Sequence, residues 1–446
     1  MFRTLRDAWA IPELRKKLMF TIIVLLIYRA CNAIPVPFVD VEAMETYFNG
    51  TLQNTILGFY NVMNGSAFAQ AKILALGIQP YINASIIIQL LAVAIPALER
   101  WSKDEGEEGK KKINNLTRWT TVGLGLLLGF GYYTMIAGAA VDLTGDGIAE
   151  TPVLMNTGFW TAAVIVMVFT AGSSFVMWMG AQITEYGIGN GISMILFANI
   201  VAGLPGMAGT MGEDSLFTWW AAIIVVVILL LLVVFIVFIN DAERRIPIQY
   251  AKRVVGRKVY GGQNTNLPIK VAMSGVMPVI FAQSICSVPS TVFSFYFASK
   301  NIRPDPVTGL YNHWGYDNLF SPNCWAYIAI YALMIFFFSW FYAQIQYDPT
   351  EIGNNLKKNG GFIPGFRPGK PTADFIKKVI GKIIIFGAVY LAIVCLLPLV
   401  GGKILPGVNY LGIGGTSIII VVGVALETVK AIEAQMLMRH YKGFLD

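Results

Sequence analysis

Residues 72–91 read KILALGIQPYINASIIIQLL. The stretch is apolar over most of its length, yet Gly77 and Pro80 interrupt it near the start. In lipid, every backbone N–H and C=O must be satisfied within the protein, so a helix broken there needs other helices around it. The interruption sits in a longer apolar run, 73–98. That is enough to cross a bilayer, which takes roughly 20 residues. Nine comparable runs lie at 18–34, 119–140, 157–180, 191–206, 217–240, 269–292, 323–345, 376–399 and 412–437. Ten hydrophobic helices make the chain an all-α polytopic membrane protein.

Composition leads the same way. Hydrophobic residues make up 56% of the 446, and charged ones only 13%, about half of the ~25% usual in soluble domains. Residues 1–17 are basic, but the first run leads into Pro35 and Pro37 rather than a small-residue cleavage site, so it reads as a retained span. The net charge of +7 is confined to a few loops, which fits membrane orientation and a cytoplasmic partner better than nucleic acid. Cys31, Cys286, Cys324 and Cys395 are far apart and the chain has two His, so the cysteines read as core thiols and no metal site or cofactor is expected. Gly187, Gly189 and Gly191 lie between two spans with no strand before them, which is the wrong context for a nucleotide fingerprint.

Basic residues crowd the N-terminus and the stretches 99–118, 241–270 and 346–378, while the alternate loops hold few. The positive-inside rule then puts both termini in the cytoplasm. The loop 181–190 dissents, having no Lys or Arg. Arg29 lies within the first run, less than two turns from its outer end. Snorkelling to the interface accounts for it better than an intramembrane charge does.

Two segments recur. Gly77-Ile78-Gln79-Pro80-Tyr81-Ile82 in the second run and Gly275-Val276-Met277-Pro278-Val279-Ile280 in the seventh both read Gly-x-x-Pro-x-Ile. Gly191-Ile192-Ser193 in the fifth and Gly415-Thr416-Ser417 in the tenth both read Gly-x-Ser. The matches fall at positions two and five of each set of five. Five is odd, so the second set enters the membrane from the opposite side, as in an inverted repeat. The chain then divides into halves at 1–206 and 207–446, with a pathway between them lined by the four interrupted runs. Those runs offer aliphatic residues rather than mid-membrane charges. Ile78 and Ile82 are four apart, as are Ile192 and Leu196, hence each pair shares a helix face. An aliphatic constriction resists wetting yet deforms around a bulky, varied object. That suits a polypeptide better than a small solute. A secondary transporter would place polar or charged groups there, and an insertase without a pore would not bring these four runs together.

Several stretches resemble the SecY family of protein-export channels: Lys72–Leu91; QITEYGIGNGISMIL at Gln182–Leu196; Ile34-Pro35-Val36-Pro37; RRIPIQYAKRVVGRKVYGG from Arg244 to Gly262; NNLKKNGGFIPGFRPGKPT from Asn354 to Thr372; and Gly414-Gly415-Thr416-Ser417. They cover nearly the whole chain in family order. The resemblance implies ten helices in two pseudo-symmetric halves around an hourglass pore. Its pore ring falls on Ile78, Ile82, Ile192, Leu196, Ile280 and Ile420, with Leu196 standing where Ile is usual. It implies a plug helix within about 57–71, carried by Leu57, Phe59, Tyr60, Asn61, Met63, Asn64, Gly65, Phe68 and Gln70. Gln70 replaces an Arg common in relatives, so charge-based anchoring of the plug is not expected.

The resemblance also implies a lateral gate between the second and third helices on one side and the seventh and eighth on the other. Asn83, Ile86, Gln89, Gln283 and Ser284 would line it, with a cross-gate hydrogen bond from Asn83 or Gln283 worth only ~0.6–2 kcal/mol. Implied docking loops at 241–268 and 346–375 carry Arg244, Arg245, Lys252, Arg253, Arg257, Lys258, Lys357, Lys358 and Arg367. The implied partners are SecE and usually SecG as small subunits, the SecA ATPase, the ribosome, signal sequences and unfolded preproteins, and membrane lipids. The implied protein is no enzyme and works in the bacterial cytoplasmic membrane.

Overall fold

The computed structural model describes residues 2–53, 55–103, 105–141, 151–210, 219–250, 253–255, 258–260, 264–272, 275–299, 319, 321, 324–404 and 415–442. Each of the ten apolar runs carries a helix: α2 Pro12–Cys31, α5 Gln79–Ala94, α7 Gly106–Ala137, α8 Phe159–Tyr186, α9 Gly191–Thr210, α10 Trp219–Asp241, α11 Met277–Ser299, α12 Trp325–Gln346, α14 Lys370–Ile404 and α15 Gly415–Lys442. The shorter helices are α1 Phe2–Ala10, α3 Val41–Tyr47, α4 Ile56–Met63, α6 Pro96–Lys103 and α13 Pro349–Lys358. Five described segments are long and apolar enough to cross a membrane, and Gln79–Ala94, Gly191–Gly203 and Val226–Asp241 are shorter apolar helices. Large apolar side chains such as Leu26, Phe130, Met167, Leu231, Val234, Phe238, Leu333 and Ile385 stand exposed on these helices. Water would penalise that surface, whereas lipid accepts it.

The second run is helical only from Gln79 onward. Between Asn64 and Ile78 the chain passes through successive turns. Gly77 has a φ of +52°, which an L side chain adopts only at a cost. Its N–H donates to Leu74 O at 2.8 Å, and helix α5 starts two residues on, with Pro80 in its first turn. The seventh run repeats this geometry. Gly275 has a φ of +57°, its N–H donates to Ala272 O at 3.2 Å, and α11 starts at Met277 with Pro278 second. Pro fits the first helical turn because no intrahelical bond is lost there. Both Gly-x-Ser segments open a helix, α9 and α15.

Short elements cover one end of the bundle. Asp40 caps α3 by accepting from Glu42 N and Ala43 N, and a single π turn, Phe48–Leu52, carries the chain toward α4. Strands β1 Ala140–Val141 and β2 Thr151–Pro152 pair antiparallel. At the other end α1 packs against α15, with Ala8, Leu14, Ile188 and Ile432 forming a small core. The first and last described helices therefore meet on one side of the molecule.

The stretches expected as docking loops contain sheet. Strand β3 Glu243–Tyr250 pairs antiparallel with β6 Asn264–Lys270, from Glu243 opposite Lys270 to Gln249 opposite Asn264. Strand β7 Gly361–Phe362 joins the other edge of β3. Strands β4 Arg253–Val255 and β5 Lys258–Tyr260 form a separate hairpin. In β3, Ile246 and Ile248 are buried while Arg245 and Pro247 are exposed, the alternation of a one-sided strand. That apolar face packs with Leu356, Ile363, Ile376 and Ile380.

A Cβ added at Gly77 would stand 2.0 Å from Asn64 Oδ1, in a backbone region that costs an L residue ~1–2 kcal/mol. Gly77→Ala should therefore lower the thermal unfolding midpoint in detergent. Gly123→Ala, with nothing within 4 Å, should leave the midpoint in place. Equal midpoints for the two variants would remove the role given to Gly77.

Candidate functional site

Helices α5, α9, α11 and α15 converge on one apolar cluster. Ile78, Ile82, Leu196, Ile280 and Ile420 are buried in it, and Ile192 packs half-buried against its side. The four helices reach this place because their starts are set by the Gly breaks. Ile78 is the N-cap residue of α5 and Ile82 stands one turn later, while Ile280 occupies the first turn of α11. The α8–α9 turn is equally tight: Asn190 Oδ1 accepts from Ile192 N at 3.1 Å, and Gly191 N donates to Thr184 Oγ1 at 2.9 Å. A Cβ at Gly191 would meet Gly180 O at 2.1 Å, so only glycine lets α9 begin this close to α8.

Beside the cluster is a cavity of about 10 Å³ lined by Ile82, Val279, Ile280 and Ile420 together with Tyr60, Met63, Gln79, Gln283, Ser284, Ser287 and Thr416. Such a space holds about one water. Gln79 Oε1 borders it, buried and without a protein donor. Around it the side chains of the four helices pack in contact.

The segment 57–71 is helical only through Met63. Helix α4 is capped by Thr55, whose Oγ1 accepts from Leu57 N at 3.3 Å. Leu57, Tyr60, Met63, Asn64 and Phe68 are buried, so the segment is no surface loop. The side chain of Phe59 lies outside the described residues. Polar ties hold the segment down. Asn64 Nδ2 donates to Ala75 O at 2.7 Å, Asn32 Nδ2 to Asn64 O at 3.3 Å, Tyr132 Oη to Phe68 O at 2.8 Å and Ala69 N to Asn61 Oδ1 at 2.8 Å. Gln70 Nε2 donates to Glu45 Oε2 at 3.2 Å, so a neutral amide anchors this end. Gly65 turns at φ +62° beside Arg29, whose Nη1 would be 2.8 Å from a Cβ placed there. Arg29 is exposed in the last turn of α2. Partial burial and the neighbouring Arg29 guanidinium hold the Lys72 amine below its usual pKa, with Glu45 opposing.

At the seam where α11 packs on α5 and α7, the expected polar pair is replaced by another. Gln283 Nε2 reaches Tyr327 Oη at 3.4 Å, within its own side of the seam, and Gln89 Nε2 reaches Ser85 Oγ at 3.0 Å on its own helix. Asn83 is half-buried, and Ile86 and Ser284 are buried. Among the described residues, a hydrogen bond that crosses to α11 comes from α4: Tyr60 Oη donates to Ser287 Oγ at 2.7 Å and accepts from Thr291 Oγ1 at 3.3 Å. Sequence reading passed over Ser287 and Thr291. A signal was available, since Gln283, Ser287 and Thr291 recur every four residues and so make a polar stripe on one face of an apolar helix.

The basic loops come together through the β3–β7 pairing. Arg244 and Arg245 are exposed on β3, and Arg245 pairs with Glu243 at 2.7 Å. Arg253 and Lys258 lie in β4 and β5, while Lys252 and Arg257 fall outside the described residues. Lys357 and Lys358 end α13, where cations favour the helix dipole. Arg367 is exposed between Gly365 at φ +87° and Gly369 at φ +107°. Its backbone O accepts from Thr372 Oγ1 at 2.8 Å, and the Phe366 ring lies 4.3 Å from that of Phe375. The loop thus holds the guanidinium out from a fixed base. All four cysteines are free thiols.

A SecY family model matches residues 72–429. The chain is 40% identical over 452 residues to the protein translocase subunit SecY of Streptomyces scabiei, covering 100% of both. It is 39% identical over 452 residues to that of Thermotoga maritima, covering 100% of this chain and 98% of the relative. Among solved structures, one described as a protein conducting channel matches with a TM-score of 0.65 at 16% identity, over 95% of this chain and 92% of that one. Sec61 in the canine ribosome–channel complex from the endoplasmic reticulum matches with a TM-score of 0.58 at 15% identity, over the same shares. At those identities the structures speak for the fold, whereas the family model and the relatives aligned end to end speak for descent: the chain belongs to the SecY family.

Proposed function

We propose that this chain is the channel-forming subunit of a protein translocase, passing unfolded polypeptides across the membrane and releasing apolar segments sideways into it. The observation that carries the reading is the meeting of Ile78, Ile82, Leu196, Ile280 and Ile420, with Ile192 beside them, in one cluster that seals against α4. Aliphatic contacts are non-directional, so they part around a chain of any sequence and close again without leaving a polar group unpaired. A small-solute transporter would need polar or charged groups there to recognise its cargo. All six residues here are Ile or Leu.

In this reading Leu57 to Ala71 is the plug, α5 and α7 face α11 and α12 at the lateral gate, and 1–206 and 207–446 are the two halves. The repeated Gly-x-x-Pro geometry at Gly77 and Gly275 supports the halves. The chain carries out no reaction itself, and a motor such as SecA or a ribosome supplies the drive. Both would dock on the joined basic loops, where exposed Arg244, Arg367, Lys357 and Lys358 offer charge-assisted bonds to acidic surfaces or phosphates. SecE and SecG are the small subunits. The membrane is the bacterial cytoplasmic one, with both termini inside, an orientation supported by the Lys and Arg distribution and by α1 packing on α15.

Two outcomes test this. Ile82→Gly with Ile280→Gly should raise the resting ion conductance of reconstituted complexes about ten-fold or more. A ten-fold change needs only ~1.4 kcal/mol, and large-to-small core substitutions cost ~2–5 kcal/mol. Unchanged conductance would remove the seal. Arg367→Glu should leave the unfolding midpoint unchanged, because the side chain is exposed. It should also slow motor-driven export into vesicles about ten-fold or more, since a hydrogen bond to a charged group contributes ~1.5–3 kcal/mol. Wild-type export rates would take Arg367 out of the docking surface.

A further inference from the structure

One face of α11 joins two unlike contacts. Ser287, Thr291 and Phe295 are spaced four residues apart and so lie in line along the helix. Tyr60 Oη of α4 donates to Ser287 Oγ at 2.7 Å and accepts from Thr291 Oγ1 at 3.3 Å. The bond is buried, with Ser287 0% and Thr291 2% exposed. The acceptor Ser287 Oγ is oriented by its own helix, donating to Ser284 O at 2.7 Å, and Thr291 Oγ1 shares its one proton between Tyr60 Oη and Ser287 O, which lies 2.8 Å away. The third residue fills a notch in α7. A Cβ built on Gly131 would stand 2.3 Å from Phe295 Cδ2, so the ring occupies the space that any larger residue there would take.

Helix α4 is also tied to its own side of the seam: Asn64, which ends it, bonds Ala75 O, and Asn32 bonds Asn64 O. We propose that Tyr60, Ser287 and Thr291 form a hydroxyl latch between the plug and α11, and that seating Phe295 in the Gly131 notch holds the latch closed. The proposal rests on the channel reading. Moving α11 away from α7 to open the seam withdraws Ser287 and Thr291 from Tyr60 in the same motion. The plug then loses its bond to the far side as the seam parts. The latch is polar and directional, and a displacement of an ångström or two breaks it. The aliphatic ring tolerates such a shift. Tyr60, Ser287 and Thr291 thereby set how readily the resting channel opens, while the ring sets how well it seals.

The test uses the translocase complex as isolated, reconstituted in planar bilayers without substrate, with resting ion conductance as the readout. Tyr60→Phe and Ser287→Ala each keep shape and remove one hydroxyl. Each should raise the conductance about ten-fold, which corresponds to ~1.4 kcal/mol. The double variant should match Tyr60→Phe alone, since that change already removes the hydroxyl that both Ser287 and Thr291 bond. Gly131→Ala, whose added methyl meets the Phe295 ring first, should also raise the conductance, and less so in a Tyr60→Phe background. If Tyr60→Phe conducts like the wild type while Ile82→Gly with Ile280→Gly leaks, the latch is overturned and the channel reading stands. Multiplicative effects of Tyr60→Phe and Ser287→Ala would overturn it as well. If the ring variant is also silent, the channel reading falls and takes the latch with it.

Discussion

Irregular backbone inside a bundle of apolar helices is tolerated only where the protein itself satisfies it. The stretch from Asn64 to Ile78 meets that condition. The Asn64 amide takes Ala75 O, Leu74 O takes Gly77 N, Ile34 O takes Ile73 N, and Val36 N reaches Ala71 O. Pro35 bridges to Lys72 and Val39 to Leu154, which ties the same stretch to the end of α2 and to the outer hairpin. Everything in the site depends on this. Because the turns consume part of the second run, α5 begins at Gln79, and Ile78 and Ile82 face the cluster instead of lipid. The Gly275 turn does the same for Ile280.

In the proposed channel the consequence is a barrier built from two kinds of contact. Ile and Leu side chains from four helices close the centre through dispersion and exclusion of water, forces with no preferred direction. The segment packed against them is held by directional bonds from Tyr60, Asn64, Phe68 and Gln70. An aromatic series, Phe48 to Phe68 to Tyr132 to Phe169, with ring centroids 5.9, 4.8 and 4.7 Å apart, packs its outer side. A helix as short as α4 is marginal by itself. Its position is therefore owed to these neighbours, and a few bonds decide whether it stays.

On the opposite side, charge and sheet work together. The basic stretches 241–268 and 346–375 are separated by two helices in sequence, yet β7 pairs with β3 and a shared core of Ile246, Ile248, Leu356 and Ile376 holds them as one body. Cations that positive-inside topology alone would scatter are gathered on a rigid base.

Much of this was legible from residues. The ten runs, the two repeated segments and the aliphatic character of the working site follow from hydropathy and spacing, because lipid admits few alternatives to helix and because Gly and Pro mark where a helix must stop. The strands of the basic loops were not legible, since β7 is two residues long and gains its meaning only from a partner more than a hundred residues away. Nor was the crossing bond. Asn83 and Gln283 looked like the polar pair of the seam, but Gln283 turns to Tyr327 and the tie is made by Tyr60 with Ser287 and Thr291. By itself the sequence determined the solvent this protein folds in, the places of its ten apolar helices and the residues that meet at its centre, because each depends on local composition and period. Tertiary structure alone decided which hydroxyl faces which, because a hydrogen bond requires two side chains from distant parts of the chain to arrive within 3 Å or so at the right angle. No local pattern encodes that distance.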